Sequence, residues 1–341
     1  EVYMDPISQG VLGASFAQAA AKNKEKIIAA AWFGALAGMA PDLDVVIQSP
    51  SDPLLFLEFH RQFTHALIFI PLGALLVAWP LFKLQVRFFQ PYLSLRESYL
   101  FCLLGYATHG LLDACTSYGT QLLWPFSDER FAWNNISIID PLFTLPLLVL
   151  VVLAGYKRRR GFAIAACLWA LSYLSLGWLQ VDRAVAAGEL VAAQRGHIPE
   201  RLTVKPSFAN LFLWKVIYEF DGDYYVDAVR VLNEPQWCEG ERIAKFDVDK
   251  QFPTLAPESQ QRIDIERFRW FSDDYLAVNA RGQVIDMRYS FLPNEVAAMW
   301  GIEITPSKPD THVAWWANRD LNESQREDFY NLLSGRSCQW L

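Results

Sequence analysis

The sequence holds no CxxC pair, no long basic run, no internal repeat and no low-complexity tract. The first absence excludes a zinc ribbon. Cys102, Cys115 and Cys167 lie in or beside apolar runs, whereas Cys238 and Cys338 fall in a later, more polar stretch where an oxidising compartment would let them pair. A net charge of −7, with no basic patch interleaved with aromatics, argues against a nucleic-acid partner. No basic region precedes an apolar core near the start, so no signal peptide is expected, and Met4 reads as the native first residue behind three extra ones.

What the chain does have is apolar length: 341 residues, 52% of them hydrophobic, with nearly all the long uncharged runs before Gln180. Runs at 66–82, 98–113, 141–156 and 161–180 approach the roughly 17–25 residues that cross a bilayer. Two weaker candidates, 7–21 and 27–40, are rich in Ala and Gly, which suits close helix packing more than lipid contact. The expected fold is an α-helical multi-pass membrane domain of about six helices over 4–181, a helical stalk over 182–202 and a soluble α+β domain over 203–341. In that last part, strands are expected at 211–220 and 224–232 around the turn Asp221-Gly222-Asp223, then at 283–291, 300–305 and 312–317, with helices at 257–271 and 322–333.

Basic residues collect in alternate loops: Lys22, Lys24 and Lys26, then the 83–96 loop with Arg87, then Lys157-Arg158-Arg159-Arg160. The positive-inside rule places these three in the cytoplasm. With six crossings, segments 41–65 and 114–140 and everything after Gln180 lie outside. On that topology Asp5, Asp42, Asp44, His60, His65, His109, Asp113 and Asp140 all fall on the outer side. His197 and His312 have no such company and read as surface or packing residues.

His109 and Asp113 are four apart and share a helix face. Ionisable residues in membrane segments are costly and usually functional, although a buried His–Asp hydrogen bond is the structural alternative. Imidazole and carboxylate donors together suit zinc, with manganese or iron as alternatives, and hydrolysis further needs a position open to water. Pro41-Asp42-Leu43-Asp44 offers two carboxylates at a helix end, either solvated acids or a ligand beside an orienting group. His60-Arg61-Gln62-Phe63-Thr64-His65 adds two imidazoles and a guanidinium whose fork fits a phosphate or a lipid headgroup. For Asp5 and for Asp140, which precedes Pro141, a helix N-cap is the default role.

Met4-Asp5 with Ser8-Gln9-Gly10, the Pro41–Asp44 and His60–His65 stretches, and His109-Gly110-Leu111-Leu112-Asp113 followed by Thr116-Ser117-Tyr118-Gly119 form an ordered set. That set resembles the YdjM family of bacterial inner-membrane, metal-dependent hydrolases, also described as LexA-binding hydrolases, over residues 4–180. Gln62 stands where a small residue is expected. The resemblance implies a multi-helix membrane domain with metal ligands at Asp44, His65, His109 and Asp113. It implies Asp5, Asp42, His60 and Asp140 as further ligands or supports. LexA binding, implied by the family name alone, would have to use the short basic cytoplasmic loops.

Together these readings predict a phosphoester hydrolase at the outer face of the bacterial inner membrane, acting on a lipid or lipid-linked phosphate. A divalent metal, zinc ahead of manganese, would be held by Asp5, Asp44, His60, His65, His109, Asp113 and Asp140. Arg61 would clamp the phosphate and Asp42 would act as general base. Expected partners are membrane lipids and the lipid substrate. A metal- or proton-coupled transporter and a non-catalytic scaffold with a structural metal are the rival classes.

Overall fold

The computed structural model describes residues 5–88, 93–232, 234–318, 320 and 322–341. Met4 and residues 89–92 of the expected basic loop lie outside them. The chain runs through α1 (Pro6–Ala20), α2 (Ile27–Met39), α3 (Leu55–Phe59), α4 (Ile70–Phe88), α5 (Leu95–Cys115), α6 (Pro141–Lys157) and α7 (Arg160–Gln194). It continues with β1 (Arg201–Pro206), β2 (Leu213–Phe220), β3 (Asp223–Val231), β4 (Pro235–Ala244), α8 (Val248–Gln251) and α9 (Gln260–Phe271). It closes with β5 (Leu276–Val278), β6 (Val284–Asp286), β7 (Trp300–Glu303), β8 (Ala314–Ala317), α10 (Glu323–Ser334) and β9 (Gln339–Trp340). Two compact units result: residues up to 46, 59–178 and 208–210 form the first, and 47–58, 179–207 and 211–341 the second.

Small residues govern packing in the first unit. A Cβ on Gly105 of α5 would lie 2.1 Å from the Gly34 carbonyl oxygen of α2, and one on Gly13 of α1 would lie 2.4 Å from the same atom. Three backbones therefore touch where only glycine fits, the arrangement that stabilises helix pairs in membranes by dispersion contact. Ala17, Ala30, Ala37, Phe33 and Cys102 fill the space around that contact. The outward faces are apolar as well: Leu72, Leu76 and Trp79 of α4 and Val149 and Val152 of α6 are exposed. Surface of that kind suits lipid rather than water.

Lys24–Val46, Leu67–Gln85 and Arg160–Gln194 are long and apolar enough to cross a membrane, and α6 is a shorter apolar helix. Three runs, against about six expected, meet that standard among the described residues. Of the other three expected runs, α1 with 15 residues and α6 with 17 are short, while α5 is long enough but turns Ser98, Thr108, His109 and Asp113 inward.

The second unit carries two antiparallel sheets, ordered β1-β2-β3-β4-β9 and β5-β6-β7-β8. The β2–β3 hairpin closes at Asp221 and Gly222, with φ of 53° and 75°. Positive φ at both central residues matches the right-handed strand twist, as the Asp-Gly pair suggests. Ile217, Tyr224, Val226, Tyr275 and Met287 form a core between strands. The strand expected at 283–291 ends at Asp286, whose carboxylate accepts the Arg288 N–H at 3.1 Å and turns the chain out of the ladder. β4 escaped sequence reading because Gly240 and the exposed residues Glu239, Glu241 and Arg242 break the apolar alternation. Cys238 and Cys338 are joined as a disulfide beside Leu213, Ala228 and Leu332.

Gly105→Ala is expected to lower the thermal stability of the detergent-solubilised protein by about 1–3 kcal/mol, the usual cost of overpacking. Gly161→Ala, where a Cβ meets nothing within 4 Å, should leave the melting temperature unchanged or raise it. Equal melting of the two variants would contradict the close backbone contact.

Candidate metal centre

Asp42 follows α2 in a tight turn of residues 40–46, His65 ends a second such turn just before α4, and His109 and Asp113 stand one turn apart on α5. Their donor atoms converge. His65 Nε2 lies 2.9 Å from His109 Nε2, 3.2 Å from Asp113 Oδ2 and 3.5 Å from Asp42 Oδ1. His109 Nε2 lies 3.3 Å from Asp42 Oδ1 and 3.6 Å from Asp113 Oδ2. A tetrahedral ion bound at about 2.0–2.2 Å spaces its donors about 3.3–3.6 Å apart. The four-residue group can therefore hold a metal ion.

The far sides of the rings set the tautomers. His109 Nδ1 is 2.5 Å from the Gly38 carbonyl oxygen, which only an N–H can satisfy. His65 Nδ1 lies 2.9 Å from Thr64 Oγ1, and that hydroxyl donates to Asp44 Oδ2 at 2.8 Å. Both Nδ1 atoms then carry protons, so each ring in its neutral form turns an Nε2 lone pair inward, where a cation between them could accept both. Both Asp42 carboxylate oxygens are buried and make no hydrogen bond among the described residues. Asp42 is nonetheless the only one of the four with any side-chain exposure, 14% against 0%.

Of the expected metal donors, His65, His109 and Asp113 meet here, joined by Asp42, which was expected as the general base and, by the resemblance, as a further ligand or support. Asp44 stands behind them: its carboxylate accepts His60 Nδ1–H at 2.8 Å, the Arg61 amide at 3.1 Å and the Thr64 hydroxyl. His60 is thereby held against Asp44 and packs edge-on to His65 and Tyr118. Burial holds the His60 imidazole below its ordinary pKa, against the pull of Asp44. Asp5 and Asp140 cap helices. Asp5 accepts from Ile7 N and Ser8 Oγ, while Asp140 accepts from Leu142 N, Phe143 N and Tyr173 Oη.

Arg61 is fully buried, with its Nε 3.1 Å from Asp113 Oδ2 and its Nη1 3.0 Å from Thr116 Oγ1. Its Nη2 has no hydrogen-bond partner among the described residues. Arg61 adopts φ of 65°, so the left-handed turn falls one residue before Gln62. Three supports carried no role in the sequence. Gln9 Nε2 donates to Asp113 Oδ1 at 2.8 Å, Tyr106 Oη donates to the Thr64 carbonyl at 2.9 Å, and the Gly38 carbonyl receives His109. Gln9 sits inside the Ser8-Gln9-Gly10 motif, so its place in the ordered set was the available signal. A backbone carbonyl such as that of Gly38 leaves none.

Inward-facing polar helices, lipid-type outer surfaces and a buried His/Asp cage define a helical membrane protein with a candidate metal centre. Residues 4–184 match the family described as YdjM inner membrane protein, and the chain belongs to that family. It is 33% identical over 109 residues to the inner membrane protein YbcI of Escherichia coli (strain K12), covering 31% of this chain and 60% of that relative. It is also 28% identical over 119 residues to YfhP of Bacillus subtilis (strain 168), an uncharacterized protein, covering 35% of each. The chain thus spans about a third to three-fifths of the curated relatives it matches. No solved structure matches it.

Asp113→Ala is expected to abolish zinc retention after dialysis. Asp5→Ala and Asp140→Ala should retain zinc while losing about 0.5–2 kcal/mol of stability, the cost of a lost N-cap. Zinc loss in either cap variant at unchanged stability would bring that residue into the centre.

Proposed function

We propose that the protein is a membrane phosphoester hydrolase in which His65, His109 and Asp113 hold a divalent metal, zinc ahead of manganese. The observation that carries this reading is the convergence of two imidazoles with two carboxylates, the His65 and His109 Nε2 atoms lying 2.9 Å apart and each within 3.6 Å of both carboxylates. The three fully enclosed donors correspond to the three-ligand sets of catalytic zinc sites, which leave a fourth position for water. Bound there, the metal would supply Lewis acidity, acidifying water and polarising a phosphoryl oxygen.

The remaining steps belong to the chain. Asp42, at the least enclosed edge, accepts the proton of the attacking water. As the water oxygen bonds to phosphorus and the ester P–O bond breaks, that proton passes to the departing alkoxide. Arg61 Nη2 offers its N–H to a non-bridging phosphate oxygen, while Nε and Nη1 keep the guanidinium fixed on Asp113 and Thr116. Asp44 and Thr64 hold the His65 ring, and the Gly38 carbonyl holds the His109 ring.

A lipid or lipid-linked phosphate is the substrate class. Asp42 lies near the end of one apolar run and His65 just before the start of another, so a headgroup reaches them without leaving the bilayer surface. We place the site and the second unit on the outer, oxidising side of the inner membrane. The Cys238–Cys338 disulfide and the Lys157–Arg160 basic cluster on the opposite side of α7 support that orientation.

Elemental analysis of detergent-purified protein should find stoichiometric zinc or manganese, lost in His65→Ala/His109→Ala. Asp42→Asn should retain the metal yet release headgroup from anionic-phospholipid micelles at least about 10²-fold more slowly. No metal in the wild type after supplementation would defeat the hydrolase reading in favour of a scaffold or transporter. Glu258→Cys, at an exposed position, should react in intact cells with a thiol reagent that cannot cross the inner membrane. Labelling only after lysis would reverse the orientation.

A further inference from the structure

We infer that Arg267, in α9 of the second unit, is a positioning residue for the metal centre, acting through the 47–58 segment. That segment folds with the second unit, yet its two ends continue directly into site residues of the first: Asp42 and Asp44 before it, His60, Arg61 and His65 after it. Its conformation therefore sets where both halves of the centre begin.

The segment is held by one guanidinium. Arg267 Nη1 and Nη2 donate to the two oxygens of Asp52 at 3.0 and 2.8 Å, and Nε donates to Glu58 Oε1 at 2.5 Å. Nη1 also donates to Asp264 Oδ1 at 2.9 Å. The fork thus pins the middle and the end of the segment at once, a geometry that a lysine cannot reproduce. Asp264 is itself fully buried and fixed, accepting from His312 Nδ1 at 2.9 Å, the Val313 amide at 3.1 Å and Gln260 Nε2 at 3.1 Å. Apolar contacts reinforce the anchor: Leu54 and Leu57 are buried, and Phe56 meets Trp315 edge-on at 5.2 Å. Burial opposes ionisation of Asp52, but the hydrogen bonds from Arg267 and the Leu54 amide, with the charge of Arg267, together keep the carboxyl below its ordinary pKa.

An exposed ion pair would contribute little. Here three carboxylates converge on one guanidinium that is only 17% exposed, and the strap they fix is closed at its base by Asp44 holding His60, Arg61 and Thr64. Releasing the strap restores chain freedom between Asp44 and His60 and weakens the ring orientation of His65, which depends on the same carboxylate.

The effect on metal rests on the metal centre proposed above; the effect on backbone order does not. The test uses full-length protein in detergent, with amide hydrogen exchange and zinc affinity by chelator competition read on wild type, Arg267→Ala, Arg267→Lys and Asp52→Asn/Glu58→Gln. Arg267→Ala should speed exchange across 47–58 and also across 60–66, and should weaken zinc binding about 10-fold. The carboxamide pair should reproduce this, adding little when combined with Arg267→Ala, and Arg267→Lys should recover part. Faster exchange confined to 47–58, with 60–66 and zinc affinity unchanged, would overturn the inference. If Arg267→Ala does not fold, the carboxamide pair decides by the same readings. A wild type without zinc would count against the metal reading alone, and exchange at 60–66 would still decide the role of Arg267.

Discussion

The centre depends on how closely α5 approaches its neighbours. Gly105 admits the Gly34 carbonyl, and Gly110 admits that of His65, against which a Cβ would stand 2.4 Å away. His109 and Asp113 sit at the second of these contacts. With α2 touching α5 at residue 34, the next turn of α2 brings the Gly38 carbonyl within 2.5 Å of His109 Nδ1. Any side chain at these glycines would part the helices by more than a hydrogen bond tolerates. Helix packing and ligand geometry are thus set by the same few atoms.

Charge in the cage is uneven. Asp44 is satisfied by three donors, and Asp113 by Gln9 and the Arg61 guanidinium. Of the cage carboxylates, Asp42 has both oxygens buried without a hydrogen bond among the described residues, whereas Asp113 lacks one only at Oδ2, which faces the Arg61 guanidinium. An uncompensated buried carboxylate costs several kcal/mol. The deficit of positive charge therefore lies on the side where the two imidazole lone pairs point, and local electrostatics and coordination chemistry make the same demand.

Much of this was legible in the sequence, for identifiable reasons. His109 and Asp113 share a helix face at a spacing of four, and the Asp221-Gly222 turn carries its own conformational signature. The division between apolar and polar parts followed from composition. The order of Asp42 and Asp44 was not legible, because two carboxylates at a helix end are equivalent until the turn of 40–46 sets Asp42 against the Nε2 atoms of His65 and His109 and Asp44 against the Nδ1 atoms of His60 and His65. The expected count of six spans rested on runs whose helices differ in kind: α1 and α6 are short, and α5 turns polar residues inward. β4 and β9 are paired by residues far apart in sequence, which no local pattern reports.

The Cys238–Cys338 bond spans a sequence separation of 100. At about 5–20 residues per second of synthesis, Cys238 leaves the ribosome roughly 5–20 s before its partner exists. Through that interval β2, β3 and the first part of β4 can already pair, while one thiol stays exposed to whatever oxidant or stray cysteine is at hand. Correct pairing in this domain is therefore a matter of the timing of synthesis as much as of the finished fold.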